Sequence, residues 1–344
     1  MEDKKVTALL TTYNASSWVE SAIDSVLAQT LLNFDFLVID DGSTDSTVQK
    51  IQQYSDSRII LITHDENKGV GCRLDEALDL VKTPYIAKVD ADDISVPNRF
   101  ETQLEFIEKH NADIIKSHFS YFSDNEDVAG SSRFTSFKND KERAINGIAS
   151  PDDINVFLPQ WPCFPHTTYF AKTDVIKSVR YPHLRMFEDY VLFLRLHKQG
   201  ARFDCVEKTL VHMRVSDTST TATLSQRNFD EGLAAVINEK IERLTTCVSG
   251  KEVYVFGSGQ MGRSFCKHSS KINIEVSGFV EREESNSSIM IDVATHIPVL
   301  SLSHFLSRKA NKVLIIAAQP VRAEITAKLA SLNMKEGLDF FILA

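Results

Sequence analysis

The N-terminal part of this chain changes hydrophobic period again and again, and that alternation restricts the fold more than any other feature. Residues 6–10, 34–39, 59–62 and 85–89 are short apolar runs of strand length. Between them the apolar residues recur at helical spacing, as at Val19, Ala22, Ile23, Val26 and Leu27, and again over 44–54 and 74–81. Ser17 with Glu20 three residues on reads as a capping box for the first of these helices. Strands alternating with helices imply an α/β fold with a mostly parallel sheet covered on both faces. Polar residues gather where three of the strands end: Thr11-Thr12-Tyr13-Asn14, Asp40-Asp41-Gly42-Ser43 and Asp90-Ala91-Asp92-Asp93. Open α/β sheets bind ligands at that carboxyl edge.

Beyond residue 99 the pattern is less regular. Phe100, Leu104 and Ile107 line a helix face, 124–155 is polar and expected to be loop-rich, and prolines stiffen 161–166. Residues 190–198 read as a helix with Gly200 closing it. Residues 226–246 read as one long helix connecting two domains. A second alternation begins near Lys251, with strands expected at 253–256, 275–280, 299–300, 313–317 and 340–343. The expected layout is an α/β domain over 1–225, a helical linker over 226–249 and a small Rossmann-like α/β domain over 250–344.

Composition removes several function classes. Lys and Arg number 38 against 47 Asp and Glu, a net charge of −9 that excludes a broad basic surface and, with it, nucleic acid as the default partner. Cys72, Cys163, Cys205, Cys247 and Cys266 are widely spaced with no CxxC, which argues against a disulfide framework or zinc site. The first residues lack the apolar core of a signal peptide, and no apolar run approaches the ~20 residues of a bilayer span. The expectation is a reduced, cytoplasmic protein whose membrane association, if any, is peripheral.

The sharpest chemical feature is Asp90-Ala91-Asp92-Asp93. Three carboxylates within four residues repel one another, and burying them unpaired costs several kcal/mol. A divalent cation removes that conflict, and Mg²⁺ or Mn²⁺ prefers such hard oxygen ligands. The competing reading is a solvated turn that caps the helix after Pro97. A second acidic constellation, Glu188-Asp189, opens the helix at 190–198, where a carboxylate can serve as general base or simply favour the helix N-terminus.

Four segments in this order resemble a family 2 glycosyltransferase with the GT-A fold, of the bacterial surface-glycan type. They are Leu10-Thr11-Thr12-Tyr13-Asn14, the run Val38 to Asp45 containing Asp40-Asp41-Gly42-Ser43-Thr44-Asp45, the run Tyr85 to Asp93, and Phe187-Glu188-Asp189-Tyr190. The resemblance covers roughly residues 4–217. It implies that Thr11 and Tyr13 frame a nucleotide base, that Asp41 accepts from the base N–H, and that Asp40 holds the loop or the ribose. Asp90 and Asp92 would lie near ribose and metal, with Asp92 and Asp93 as the contacts of Mn²⁺ or Mg²⁺. Asp189 would be the base that activates an acceptor hydroxyl for in-line displacement with inversion. Glu188, Trp161, His166 and Arg214 fall in the acceptor or diphosphate region, and 217–223 would be a mobile lid over the donor. One position departs from the pattern, because Arg73 stands one residue away from the place where relatives carry a diphosphate-binding arginine; Lys68 or Arg73 would substitute. The donor implied is a nucleotide sugar, UDP-linked, and the acceptor a glycan or lipid-linked glycan in polysaccharide synthesis, with peripheral contact to membrane or glycan-assembly proteins.

Gly257, Gly259 and Gly262 follow a strand and open a helix, and Glu281 comes 19 residues later at the end of the next strand. That context suits a dinucleotide fingerprint, although glycines at this spacing also serve close strand–helix packing. The segment resembles the small nucleotide-binding module found beside sugar-modifying enzymes. Three rivals stand beside the glycosyltransferase reading: a nucleotidyltransferase, a NAD-dependent oxidoreductase lacking an identifiable hydride-handling residue, and a non-catalytic sugar-nucleotide-binding assembly protein.

Overall fold

Eight strands, β1 Val6–Thr12, β2 Phe34–Asp40, β3 Ile59–Thr63, β4 Tyr85–Asp90, β5 Ile94–Ser95, β6 Ile114–Phe122, β7 Phe170–Lys172 and β8 Phe203–Arg214, form one sheet in the order β3-β2-β1-β4-β7-β6-β8-β5. In this computed structural model the chain divides between Ser225 and Gln226 into two units, and residues 4–216, 225–282, 288–290 and 296–344 are described. The expected lid at 217–223 lies outside the described residues. Among the described residues, no helix is long and apolar enough to cross a membrane.

The first half of the sheet is parallel, as the alternating pattern requires. β1 pairs with β2 on one side and β4 on the other, and β2 pairs with β3. Its core is continuous: Val6, Ala8, Leu10, Phe36, Val38, Ala87 and Val89 pack against Val19, Ala22, Ile23 and Val26 of the helix Val19–Leu27. The register sets Thr12 beside Asp40 and Thr11 beside Asp90, so three polar strand ends converge. The second half begins at β7, antiparallel to both β4 and β6. The sheet therefore changes sense beside β4, and the acidic loop 90–93 sits at that seam.

Several local expectations are corrected. The capping box is not formed: the helix Val19–Leu27 begins after Trp18 with no side-chain cap. The amides at its entrance are satisfied from the β2 loop instead, Ala15 N–H by Thr47 Oγ1 at 2.8 Å and Ser16 N–H by Asp45 Oδ2 at 3.1 Å. The polar stretch 124–155 is largely helical, in short pieces capped by Asn125, Ser131 and Ser150 side chains and including a π-turn at Phe137–Glu142. The long helix expected over 226–246 is two helices, Gln226–Glu239 and Ile241–Val248, broken at Lys240, and this segment belongs to the second unit.

That second unit holds β9 Glu252–Phe256, β10 Val276–Glu281, β11 Ser288–Met290, β12 His296–Ser301, β13 Lys312–Ile316 and β14 Phe340–Ile342, ordered β11-β12-β10-β9-β13-β14. Every pairing is parallel except β11 with β12. Gly257, at φ +98, turns the chain from β9 into the helix Gln260–Ser269. A Cβ on Gly262 would lie 2.0 Å from the Gly257 carbonyl oxygen, so strand end and helix touch backbone to backbone. Gly262→Ala is therefore expected to lower the stability of this unit by about 1–3 kcal/mol, the usual cost of overpacking, measured by urea unfolding.

Candidate active site

The first two loops are stitched together before any ligand is considered. Asp40 caps its own turn, accepting from Ser43 N–H at 2.9 Å and Ser43 Oγ–H at 2.5 Å. Asn14, in the left-handed region at φ 49, accepts from Thr44 N–H at 2.8 Å, and its own amide donates to Ser43 Oγ. Asp40 thus holds the loop. Tyr13 between these anchors is 43% exposed, and its ring offers an open face at the mouth of the pocket. Thr11, half-buried, lies on β1 beside Asp90.

Asp41 is buried and heavily engaged. Oδ1 accepts from Lys68 N–H at 2.8 Å and from Arg73 Nε at 2.6 Å, and Oδ2 accepts from Gly69 N–H at 2.7 Å. Arg73 is 1% exposed, with Nη1 on Glu76 and Nη2 on the Glu66 carbonyl. Arg73, expected near a diphosphate, is here directed at protein groups. It lies on the buried face of the helix Val70–Leu80, with Leu74 and Ala77, and its guanidinium orders Asp41 and the loop at 66–69. Lys68 remains exposed beside them.

Under the acidic loop lie two cations that the sequence reading did not single out. Lys88, in the middle of β4, and Arg99 are each 0% exposed. Lys88 Nζ donates to Asp90 Oδ1 at 2.5 Å and to the Val89 carbonyl at 2.7 Å. Arg99 donates to the carbonyls of Lys88 and Thr167, and to Ser95 and Gln103. Burial works to raise the Asp90 carboxyl, but Lys88 foremost, with Arg99, holds it below the ordinary range. Asp92 lacks such a partner. Burial and then the charge of Asp90 push it up to about 6. The signal for Lys88 was present in the sequence as a lone lysine inside an apolar strand.

Asp93, expected beside Asp92 as a cation contact, is 6% exposed and accepts from Arg214 N–H at 2.8 Å. Arg214 is itself a staple of this loop. Its Nε donates to the Asp92 carbonyl, Nη1 pairs with Asp124, and its guanidinium lies 4.5 Å from the ring centres of Trp18 and Phe122. Its side chain is 4% exposed, so it shapes the loop and is not presented to a diphosphate. Among the described residues no three His, Cys, Asp or Glu side chains form a closed metal cage. Asp90 and Asp92, half-exposed and mutually repelling, are a two-carboxylate donor set of hard oxygens, which fits Mg²⁺ or Mn²⁺ shared with substrate phosphates.

The second acidic pair reaches the same place. Phe187, left-handed at φ 63, turns the chain into the helix Glu188–Lys198. Burial, then Asp189, pushes the Glu188 carboxyl up to about 8, with Asp90 adding to it. Burial also raises Asp189; the Tyr190 amide, 2.6 Å from Oδ1, opposes it and Asp90 reinforces it, leaving the carboxyl at about 6. The charge of Asp90 acts on both groups, so the two acidic constellations are electrostatic neighbours. Burial and neighbouring carboxylates raise both carboxyls, Glu188 the further, so the pair can offer one donor and one base.

His166 ends a buried chain of hydroxyls: its Nε2 lies 2.9 Å from Tyr181 Oη, which lies 2.7 Å from Tyr169 Oη. Burial, then Lys88, depresses the imidazole to about 3, so it is neutral. Trp161, expected to wall an acceptor site, is packed into the core at 8% exposure. In the second unit Glu281 is engaged with the glycine loop, accepting from Ser258 N–H at 2.8 Å and Ser258 Oγ–H at 2.5 Å. Gly259 opens the helix without a side-chain cap.

A mostly parallel α/β sheet that collects two carboxylate pairs at one carboxyl edge defines a sugar-nucleotide-type transferase architecture. The family model described as "Glycosyl transferase family 2" matches residues 7–192, and this chain belongs to that family. Among curated relatives, the Escherichia coli protein named UDP-Glc:alpha-D-GlcNAc-diphosphoundecaprenol beta-1,3-glucosyltransferase WfgD is 35% identical over 128 residues, covering 37% of this chain and 51% of that protein. WfaP of Escherichia coli, whose name states the same activity, is 28% identical over 63% of this chain and 80% of its own length. The chain thus spans about half the length of WfgD and four fifths of that of WfaP. Among solved structures, S. aureus TarS 1–349 in complex with UDP-GlcNAc superimposes with a TM-score of 0.53 at 19% identity, covering 69% of this chain and 66% of that one. The mannosyltransferase PcManGT from Pyrobaculum calidifontis, in complex with GDP-Man and Mn2+, does so with a TM-score of 0.50 at 15% identity, covering 70% of this chain and 65% of that one. These likenesses carry the GT-A fold.

Removing the buried countercharge tests the acidic loop. Lys88→Met is expected to lower stability by about 3–5 kcal/mol, the cost of leaving one member of a buried ion pair alone, read by urea unfolding.

Proposed function

We propose that this chain transfers a sugar from a UDP-linked donor to a hydroxyl of a glycan or lipid-linked acceptor in surface-polysaccharide synthesis, with inversion at the anomeric carbon. The observation that carries the reading is the convergence of the polar ends of β1, β2 and β4, where strand register sets Asp40 beside Thr12 and Asp90 beside Thr11, within the stretch that matches the family model. The activities stated in the names of WfgD and WfaP support the donor and acceptor classes. The catalytic domain is residues 1–225; the C-terminal unit serves nucleotide binding or assembly.

Each residue then has a task. Tyr13 stacks on the base, and Asp41, held rigid by Arg73, accepts from the base N–H. Lys68 supplies the exposed cation near the diphosphate. Asp90 and Asp92 would hold Mg²⁺ or Mn²⁺, which when bound supplies Lewis-acid stabilisation of the departing diphosphate. Asp189 takes the proton from the acceptor hydroxyl as that oxygen attacks, and Glu188 donates a hydrogen bond to the acceptor sugar. A single base opposite the leaving group gives inversion.

Asp189→Asn is expected to reduce transfer by about 10²–10⁴-fold while leaving UDP affinity unchanged in a calorimetric titration. Wild-type turnover should rise with pH through about 6 and level off above it, because the base works only when ionised. An asparagine variant that transfers at the wild-type rate would refute the base. Asp92→Asn should abolish any Mn²⁺-dependent gain in UDP affinity, and Tyr13→Ala should weaken UDP binding by roughly 1–3 kcal/mol of lost stacking.

A further inference from the structure

The loop at 180–187, between the helices Thr173–Val179 and Glu188–Lys198, is locked onto the loop at 66–71 by contacts the reaction scheme above does not use. Arg185 reaches across 118 positions of sequence to Asn67: Nη1 donates to Asn67 Oδ1, and Nη2 donates to the Asn67 carbonyl at 2.6 Å. The next two residues, Lys68 and Gly69, are those whose amides hold Asp41. Gly69 has φ +94, and a Cβ there would lie 2.7 Å from Arg185 Cγ, so the arginine stem fills the space a side chain would need. Gly71 donates its amide to the Leu184 carbonyl at 3.3 Å, and a Cβ on it would fall 2.3 Å from the Pro182 carbonyl oxygen. One helical turn on, Asp75 receives Arg180 Nε at 2.8 Å and lies 3.1 Å from His183. Four residues beyond Arg185 stands Asp189.

We infer that Arg185 is a positioning residue that locks the loop at 66–71, whose amides hold Asp41, to the loop presenting Asp189, so that the donor end and the base end of the site keep one fixed separation. The inference rests on the roles proposed above for Asp41 and Asp189. A carboxylate that must meet a hydroxyl at hydrogen-bond distance is sensitive to such a brace, since misplacement of about 1 Å from a remote change can cost about 10²-fold in rate.

The test compares Arg185→Ala, Arg185→Lys and Asn67→Ala with the wild-type chain, measuring kcat, donor KM, UDP affinity by calorimetry and the melting temperature. Arg185→Ala is expected to lower kcat by about 10- to 100-fold with little change in donor KM or UDP affinity. Arg185→Lys, which keeps one donor toward the Asn67 carbonyl, should recover part of that loss, and Asn67→Ala should fall between. An unchanged kcat in Arg185→Ala would overturn the inference. So would a raised donor KM with kcat intact, which would make Arg185 a direct donor contact. A loss of kcat that tracks melting temperature across all three variants, with no recovery by lysine, would reduce it to a structural staple. Asp189→Asn is the control: wild-type transfer there defeats the base assignment itself, whereas its loss beside an unaffected Arg185→Ala defeats only the brace.

Discussion

The site depends on two cations placed beneath a cluster of acids. Lys88 and Arg99 are fully buried, and a buried charge without a partner is among the least tolerable features of a protein interior. They are tolerated because Asp90 stands above Lys88 at 2.5 Å and because Arg99 is saturated by carbonyls and side-chain oxygens. The reverse also holds. Without those cations, Asp90, Asp92 and Asp93 could not share a loop at the end of an apolar strand. The arrangement lets neighbouring carboxyls differ: Asp90 is kept ionised, Asp92 is left hungry for positive charge, and Asp93 is folded inward onto the Arg214 amide.

The sheet explains why the second acidic pair arrives there. β7 runs antiparallel to β4, so the chain that leaves β7 returns through the helix Thr173–Val179 and the loop at 180–187 beside the parallel half. The helix that follows, opening with Glu188 and Asp189, packs against the helices Thr173–Val179 and Val70–Leu80.

Much of this was legible in the sequence, for definite reasons. The strands β1, β2 and β4 are unbroken apolar runs, and the polar residues after each can go only to the carboxyl edge. The family motifs then located both acidic pairs. What failed to show was decided by tertiary contacts. Arg73 and Arg214 read as cations available to a diphosphate because their carboxylate partners, Asp41 and Asp124, lie 32 and 90 residues away in sequence. The stretch 124–155 read as loop because its short helices rest on caps such as Ser150, which holds Asp153 N–H at 3.0 Å, and not on apolar periodicity. The break at Lys240 was hidden for a related reason: its ammonium is buried and donates to the Leu343 carbonyl at 2.7 Å, a contact no local pattern announces.

The glycine loop of the second unit already holds an anion of its own. Glu281 occupies the Ser258 amide and hydroxyl, the donors a phosphate would seek. Being tethered, that carboxylate is present at an effective concentration that a free ligand must outcompete. Any phosphate entering the loop therefore binds with its intrinsic affinity diminished by the fraction of time Glu281 is away, and its arrival sets free a carboxylate at the end of β10.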